Sequence, residues 1–281
     1  MLTQLKEPDF EKYAEQAYAL AMDLTSSGYP TYADGIKTKD DFMKRARTAF
    51  IRENEDILLY ERNGYVCGWI HYYFLPEDQY LDTCSFCVSD GMGEAIQEFI
   101  AFARKRFPGS KLYLGFPKEN IEAVAALTAG GYPCIEESYN DVINLAEYEP
   151  APDCPDIVPV TRENYGLFRE LHSQETDMYW NVDRLLADID NWKIFLYQRD
   201  KVTAGAIYFT NNPDLSEIFG IDFSNGYDAG VYRLLVTKAL NEAKRNHVKH
   251  MVFFNGDESQ SDALQVGFRC VSMYECRCVD L

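Results

Sequence analysis

The sequence predicts an α/β protein made of two tandem domains, each with a mixed central sheet flanked by helices. Helical and strand patterns alternate along its 281 residues. The same order of elements (helix, helix, hairpin, strand, loop, helix, strand, helix, strand) occurs twice with a period near half the chain. Three prolines within Glu149 to Pro155 mark a linker between the copies. We therefore predict domains at 1–148 and 156–281.

The first half begins with two helices, because apolar residues recur at helical spacing over 10–21 and again over 42–50. A strand hairpin follows, since Asn63-Gly64 stands between two apolar runs and both residues tolerate positive φ. The remaining predicted elements are a strand over 80–88, a helix over 94–107, a strand over 111–115, a helix over 119–129 and closing strands over 132–145.

The second half repeats this order after the linker. A polar turn at Arg199 to Lys201 separates the two strands of its hairpin. The predicted elements are a strand over 157–160, helices over 162–171 and 182–190, strands over 192–198, 202–209 and 215–223, a helix over 231–245, a strand over 250–254, a short helix before Gly267 and a closing strand over 269–279.

The charge balance argues against nucleic acid as a partner. The chain carries 45 acidic and 27 basic residues, a formal net charge of −18. Phosphate backbones attract stripes of Lys and Arg, and the sequence shows none. An acidic surface attracts cationic small molecules instead.

We expect a cytoplasmic protein without a membrane segment. The start of the chain is charged rather than apolar, and no apolar run approaches the ~20 residues of a membrane helix. The eight cysteines would then be reduced thiols, most of them small core residues. Cys84 and Cys87 have zinc-like spacing, but an offset of three in a strand turns them to opposite faces. We therefore predict no metal site.

Residues 88–93 form a glycine loop between a predicted strand and a predicted helix. A helix N-terminus binds anions through its free N–H groups, and glycine lets the anion approach the backbone. Further along, Asn120, Ala123, Gly131 and Tyr132 span another predicted helix.

With the element order, these residues resemble the GNAT superfamily of acyl-CoA-dependent acetyltransferases. In that family a loop of pattern Arg/Gln-x-x-Gly-x-Gly/Ala holds the CoA pyrophosphate, and Asn-x-x-Ala-x-x-x-Tyr-x-x-x-Gly-Phe spans the last helix. The loop here keeps Gly91 and Gly93, with Val88 in place of Arg or Gln. Leu127 stands at the position of the family's tyrosine, which often serves as general acid.

The resemblance implies an acetyl-CoA-dependent N-acetyltransferase, with acetyl-CoA as cosubstrate and a small amine or basic group as acceptor. A strand carboxylate would be the base that deprotonates the amine, and the candidates are Asp82 and Glu217. In the first half, which keeps more of the loop, the cofactor-binding candidates are Val88, Gly91, Met92, Gly93 and Asn120. In the second half they are Gly226, Gly230 and Asn255.

The acceptor pocket would be lined by aromatic and acidic loops, at 26–34 in the first half and 175–181 in the second, both suited to a cation. The absence of the family's Arg/Gln and Tyr keeps an alternative open. The chain could be a catalytically degenerate GNAT-like protein that binds a ligand or partner. The sequence does not indicate an oligomeric state.

Overall fold

The computed structural model describes residues 1–172 and 179–281. Contacts divide these residues into two compact units. The first comprises Met1–Ser138 with Ser272–Leu281, and the second comprises Tyr139–Val271. Each unit therefore includes a terminal strand segment from the other half of the chain. The linear boundaries predicted from the sequence, 1–148 and 156–281, do not include this exchange, because it depends on strand pairing.

The elements follow the predicted order, and most lie within two residues of the predicted bounds. Those of the first half are β1 (Leu2–Gln4), α1 (Phe10–Ala21), α2 (Lys39–Arg47), β2 (Glu55–Arg62), β3 (Tyr65–Leu75), β4 (Tyr80–Val88), α3 (Met92–Arg106), β5 (Lys111–Pro117), α4 (Ile121–Ala129) and β6 (Cys134–Asn144). Those of the second half are β7 (Ile157–Pro159), α5 (Tyr165–His172), α6 (Val182–Ala187), β8 (Trp192–Arg199), β9 (Val202–Thr210), β10 (Leu215–Phe223), α7 (Ala229–Arg245), β11 (His250–Asn255), α8 (Gln260–Gln265) and β12 (Arg269–Asp280).

The sheet of the first unit has the strand order β1-β2-β3-β4-β5-β12. Its neighbours are antiparallel except β4 and β5, which run parallel. Helices α3 and α4 pack on one face, where Phe99 and Ile100 are buried. Helices α1 and α2 pack on the other face around Phe10, Phe42 and Trp69.

The second unit has the order β6-β11-β10-β9-β8-β7. Again a single pair among the described strands, β10 and β11, is parallel. Helix α7 buries Leu235, Val236 and Ala239 on one face, and α5 buries Phe168 on the other. Each unit is therefore the mixed sheet with helices on both faces that the sequence predicts.

The repeat extends to single residues in the two hairpins. In the first, Tyr60 faces Gly68 and the register then shifts by one residue; in the second, Tyr197 faces Gly205 with the same shift. A Cβ at Gly68 would lie 2.9 Å from the Cβ of Tyr60, so only glycine fits there. Equivalent β-bulges give both sheets the same local twist.

No helix in the described residues is long and apolar enough to span a membrane.

Candidate functional site

The parallel strands of the first unit separate soon after they begin. β4 and β5 pair only at Tyr80↔Lys111 and Leu81↔Leu112. Beyond these positions β4 and β5 no longer pair with each other, and the backbone N–H and C=O groups of both strands face the gap between them. Such groups need partners when they are buried, and residues 84–88 are all buried.

Residues 26–29 of the same chain fill this gap. They bond to both strands, through Gly28 N to Phe86 O at 2.7 Å, Tyr29 N to Gly115 O at 2.8 Å and Val88 N to Ser26 O at 2.8 Å. Ser27 also forms an isolated antiparallel bridge with Cys87. The sequence predicts a loop over 26–34 that would line an acceptor pocket, and the structure shows residues 26–29 as a strand-like segment inserted between β4 and β5.

Asn120 holds this segment in place. Its side-chain amide donates to the Ser27 carbonyl at 3.1 Å, and its Oδ1 accepts from the Ala123 amide at 3.1 Å, which caps α4. The side chain is fully buried. The predicted cofactor residue Asn120 is therefore engaged by the chain itself at both ends of its amide.

The glycine loop before α3 is covered by charged side chains. Gly91 is the N-cap of α3 with φ 74°, and a Cβ built on it would lie 3.1 Å from Arg62. The Arg62 guanidinium pairs with Asp90 at 2.6 Å and with Glu94 at 3.0 Å. Arginine and two carboxylates therefore occupy the space where an anion would approach this helix.

The other predicted loop residues serve packing. The Gly93 amide donates to Glu122 at 3.4 Å, and a Cβ on Gly93 would lie 3.2 Å from that of Ala126. Glycine at this position lets α3 and α4 approach closely. Met92 is buried in the core, as is Val88, whose amide bonds to the inserted segment. Thus the first-half candidates lie together, but around a filled gap.

Among residues 1–172 and 179–281, no segment fills the corresponding gap in the second unit. β10 and β11 pair from Leu215↔His250 to Ile218↔Phe253 and no further. Residues 219–223 of β10 are all partly exposed, whereas the matching end of β4 is buried. Across residues 1–172 and 179–281, their backbone pairs only with β9. A strand edge that pairs with none of the described strands on this side is a candidate template for an extended ligand.

The loop at this end of β10 also differs from its first-unit counterpart. Gly226 has φ 80°, and a Cβ on it would have no other atom within 4 Å. Asp228 caps α7 by accepting from the amides of Gly230 at 2.8 Å and Val231 at 3.0 Å. Gly226 thus borders open space, while the Gly230 amide is engaged.

Asn255 belongs to a buried polar network at the end of β11. It accepts from Ser259 Oγ at 2.6 Å, and its amide donates to Asp141 at 3.3 Å. Gln260 donates to the other oxygen of Asp141 at 3.1 Å. Asp141 is fully buried, and burial raises its pKa to about 6. The sequence does not identify Asp141, because its partners come from β11 and α8.

The two predicted catalytic carboxylates occupy equivalent places, each six residues before the last residue of its strand. Asp82 accepts from the Tyr80 and Tyr73 hydroxyls at 2.9 and 3.2 Å, and burial raises its pKa to about 6. It lies beside the filled gap. Glu217 lies on the paired part of β10, where its backbone amide donates to Thr210 at 2.9 Å.

His172 contacts β10 near the gap of the second unit. Its Nδ1 is 3.0 Å from an Asp222 carboxylate oxygen, and its Nε2 is 3.0 Å from the Trp180 carbonyl. Both ring nitrogens therefore face acceptor oxygens. Of the predicted acceptor loop at 175–181, residues 175–178 lie outside the described residues.

A second cluster, Glu55, His71 and Cys84, brings three potential metal ligands within 4.8 Å. Arg45 already supplies the positive charge: it pairs with Glu55 and lies 2.8 Å from Cys84 Sγ. Burial opposes ionisation of Glu55, but bonds from His71 and Arg45 outweigh it and lower its pKa. Burial raises the pKa of Cys84 to about 12. A neutral thiol beside a guanidinium is a poor metal ligand.

Solved structures share this architecture. A GCN5-related N-acetyltransferase from Sphaerobacter thermophilus aligns with TM-score 0.63 and 12% identity over 99% of this chain and 95% of its own. A tandem GNAT protein from the clavulanic acid biosynthesis pathway aligns with TM-score 0.52 and 13% identity over 99% and 98%. A GCN5-related N-acetyltransferase from Kribbella flavida aligns with TM-score 0.56 and 11% identity over 83% of this chain and 93% of its own.

No protein-family model matches the sequence, and no curated protein does. At these identities the structural likeness establishes the fold, and the chain has the α/β fold of the GNAT acetyltransferases. More particularly, it is a tandem GNAT-fold protein, since a tandem GNAT structure aligns over nearly the full length of both chains. The predicted fold class is confirmed, and the resemblance to the GNAT superfamily holds at the level of the fold.

Proposed function

We propose that this chain is an acetyl-CoA-dependent N-acetyltransferase that holds its cosubstrate in the second unit and acts on a small amine. The observation that carries the proposal is the gap beside residues 219–223 of β10, which no segment of residues 1–172 or 179–281 fills, in contrast to the filled gap of the first unit. The sequence favours the first half as the cosubstrate site, and the proposal assigns it to the second unit instead.

The residues of the second unit fit the cosubstrate in one respect and oppose it in another. The pantetheine arm of CoA is extended and carries two amides, which match a strand edge whose N–H and C=O groups have no backbone partner among the described residues. Asp228, however, engages two first-turn amides of α7 and adds a negative charge there. When bound, acetyl-CoA supplies the activated acyl group.

This chain's own residues would handle the amine. Glu217 is the carboxylate at the predicted base position of β10 and would accept the ammonium proton, directly or through water. His172, held by Asp222, would orient the exposed end of β10. The aromatic rings of Trp180 and Phe219 pack beside the same strand and suit a cationic acceptor.

Hydrogen exchange with and without acetyl-CoA tests where the cosubstrate binds. We expect protection of amides in 219–231 and no change in 84–93, with a calorimetric stoichiometry of one per chain. Release of CoA with a panel of small amines would then establish transfer. Protection confined to 84–93 would contradict the assignment of the cosubstrate to the second unit. Absence of binding at millimolar acetyl-CoA would refute the proposed acetyltransferase activity.

A ligand-binding protein without catalysis is the second candidate. The carboxylates at both helix starts favour it, since Asp90 and Glu94 flank α3 and Asp228 caps α7. Binding of acetyl-CoA with no turnover of any amine would support this candidate.

A further inference from the structure

Each unit of this chain is completed by a strand segment from the other half. We call residues 1–149 the first half-chain and residues 150–281 the second half-chain, and the two meet in the proline-rich linker. The first unit takes residues 272–281 from the second half-chain, and the second unit takes residues 139–149 from the first. The exchange is reciprocal, so neither half-chain contains all the strands of either unit.

In the first unit the exchanged segment is part of an interior strand. β12 lies between β5 and β6 in the sheet. It pairs with β5 over seven consecutive positions, and the Leu281 amide extends the ladder by donating to the Ser110 carbonyl at 3.0 Å. Val279 is fully buried in the core beneath α3 and α4. Without this segment the buried N–H and C=O groups of β5 would lose their partners on this side, which is costly.

The same segment is also held at its flanks by residues of the first half-chain. The Arg277 guanidinium donates to the Tyr132 carbonyl at 2.7 Å, just after α4, and pairs with Glu275 at 2.6 Å. The Lys118 amide donates to the Met273 carbonyl at 2.9 Å, just after β5. Contacts outside the ladder therefore add to its hold on residues 272–281.

In the second unit the exchanged segment joins both the ladder and the core. Residues 139–144 pair with β11 over six consecutive positions, and Ile143 is buried in the core. Asp141 of the first half-chain accepts from Asn255 at 3.3 Å and from Gln260 at 3.1 Å, both of the second half-chain. Loss of this segment would expose core side chains and leave both amides without that acceptor.

The linker belongs to neither ladder. Residues 149–153 are exposed and lie outside helices and strands, and a cut after Glu149 separates no strand pair. A short flexible linker supplies an effective concentration of roughly millimolar. The two ladders and their buried side chains supply association free energy of their own, and both must break before the half-chains separate.

We infer that the two half-chains bind each other through these exchanged strands and remain assembled when no covalent link joins them. The surface on the first half-chain is the slot between β5 and β6, which takes residues 272–281. The surface on the second half-chain is the edge of β11, which takes residues 139–144. The partner of each surface is the complementary half-chain, from the same molecule or from a second copy. This inference does not depend on the proposed function.

Cleavage of the linker in the folded full chain tests the inference. A protease recognition site is inserted between Glu149 and Pro150, or between Ala151 and Pro152 in a second variant, and is cut to completion. We expect the two fragments to elute together at the position of the uncut chain at micromolar concentration. Fragments that separate without denaturant in both variants would overturn the inference, because two self-contained domains would behave in that way.

Urea denaturation of the cut chain shows whether folding is coupled to association. Because unfolding then releases two molecules, we expect its urea midpoint to rise with protein concentration, whereas the midpoint of the uncut chain stays constant. Tagged and untagged copies that are cut, mixed in urea and refolded should form mixed pairs of half-chains. A midpoint independent of concentration in the cut chain, or tagged half-chains that refold alone, would contradict the inference.

Variants in the exchanged segments locate the interface. V279A and I143A remove methyl groups from the two buried segments, and each should weaken the association of the half-chains about tenfold or more. C270A is the matched control on β12, since Cys270 is exposed and precedes the exchanged segment. It should change the association less than about twofold. Equal effects of all three variants would place the interface elsewhere and overturn the inference.

Discussion

At the scale of the residue, identical side chains in the two units have different physical roles. Gly91 and Gly226 both adopt positive φ, but the first lies under Arg62 and the second borders open space. The close packing of α4 accounts for a glycine at position 93, so this glycine does not by itself indicate a bound anion. Asn120 is likewise a cap for α4. The spacing of a motif therefore predicts where equivalent residues lie in the fold more securely than it predicts what those residues bind.

Asp141 should make the stability of the chain depend on pH. Its pKa is raised to about 6 by burial, so the folded state prefers the protonated acid. Its stabilising contribution is present below the ordinary pKa near 4 and is lost as the pH rises through about 6. A shift of about two pKa units corresponds to about 3 kcal/mol.

The variant D141N should remove this dependence. Between pH 4 and pH 8, the wild type should lose about 3 kcal/mol more of its free energy of unfolding than D141N does. Urea denaturation at both pH values measures this. D190N is the control, because that side chain is 92% exposed. If the free energies of unfolding of D141N and the wild type changed in parallel with pH, burial would not raise the pKa of Asp141.

At the scale of the element, the segment over 26–29 is what fills the gap between β4 and β5 in the first unit. It satisfies strand edges that would otherwise be buried without partners. Unfilled backbone groups of this kind are costly. The segment is therefore an integral part of the first unit's sheet, and an added ligand there would have to replace it.

The variant G28A tests how tightly this segment fits. A Cβ at Gly28 would lie 3.0 Å from both the Gly115 carbonyl oxygen and a Phe116 ring atom. We expect a loss of about 1–3 kcal/mol in the free energy of unfolding, with the affinity for acetyl-CoA unchanged because the cosubstrate is assigned to the second unit.

The matched control is G166A in α5, where a Cβ meets nothing within 4 Å. Gly166 lies in the first turn of α5, where alanine costs less backbone entropy than glycine, so this variant should be neutral or slightly more stable. If G28A unfolded at the same denaturant concentration as the wild type, the segment would not be packed as the structure shows.

At the scale of the whole molecule, the net charge of −18 should favour a cationic acceptor. Capture of a charged amine by a distributed field weakens as salt screens it. We expect the KM of a cationic acceptor to rise several-fold between ~20 and ~200 mM NaCl, where the Debye length falls below ~10 Å. A neutral amine of similar size should show little change. Turnover only with acidic acceptors would refute the argument from charge.

The sequence by itself determined the local structure and, through it, the fold class. Asn63-Gly64 predicts the first hairpin, and the structure gives both residues positive φ. The apolar spacing from Phe10 predicts α1 with its observed ends. The element order, taken twice, predicts the tandem GNAT-like fold.

Only the tertiary structure decided that residues 26–29 fill the gap of the first unit, and which strand belongs to which unit. Residues 26–29 contain no strand pattern, and they enter the first sheet because β4 and β5 leave unpaired groups there. Terminal strands are exchanged because β12 pairs with β5 and β6 pairs with β11. These contacts join residues far apart in the chain, and their free energy depends on burial and hydrogen-bond geometry that local patterns do not encode.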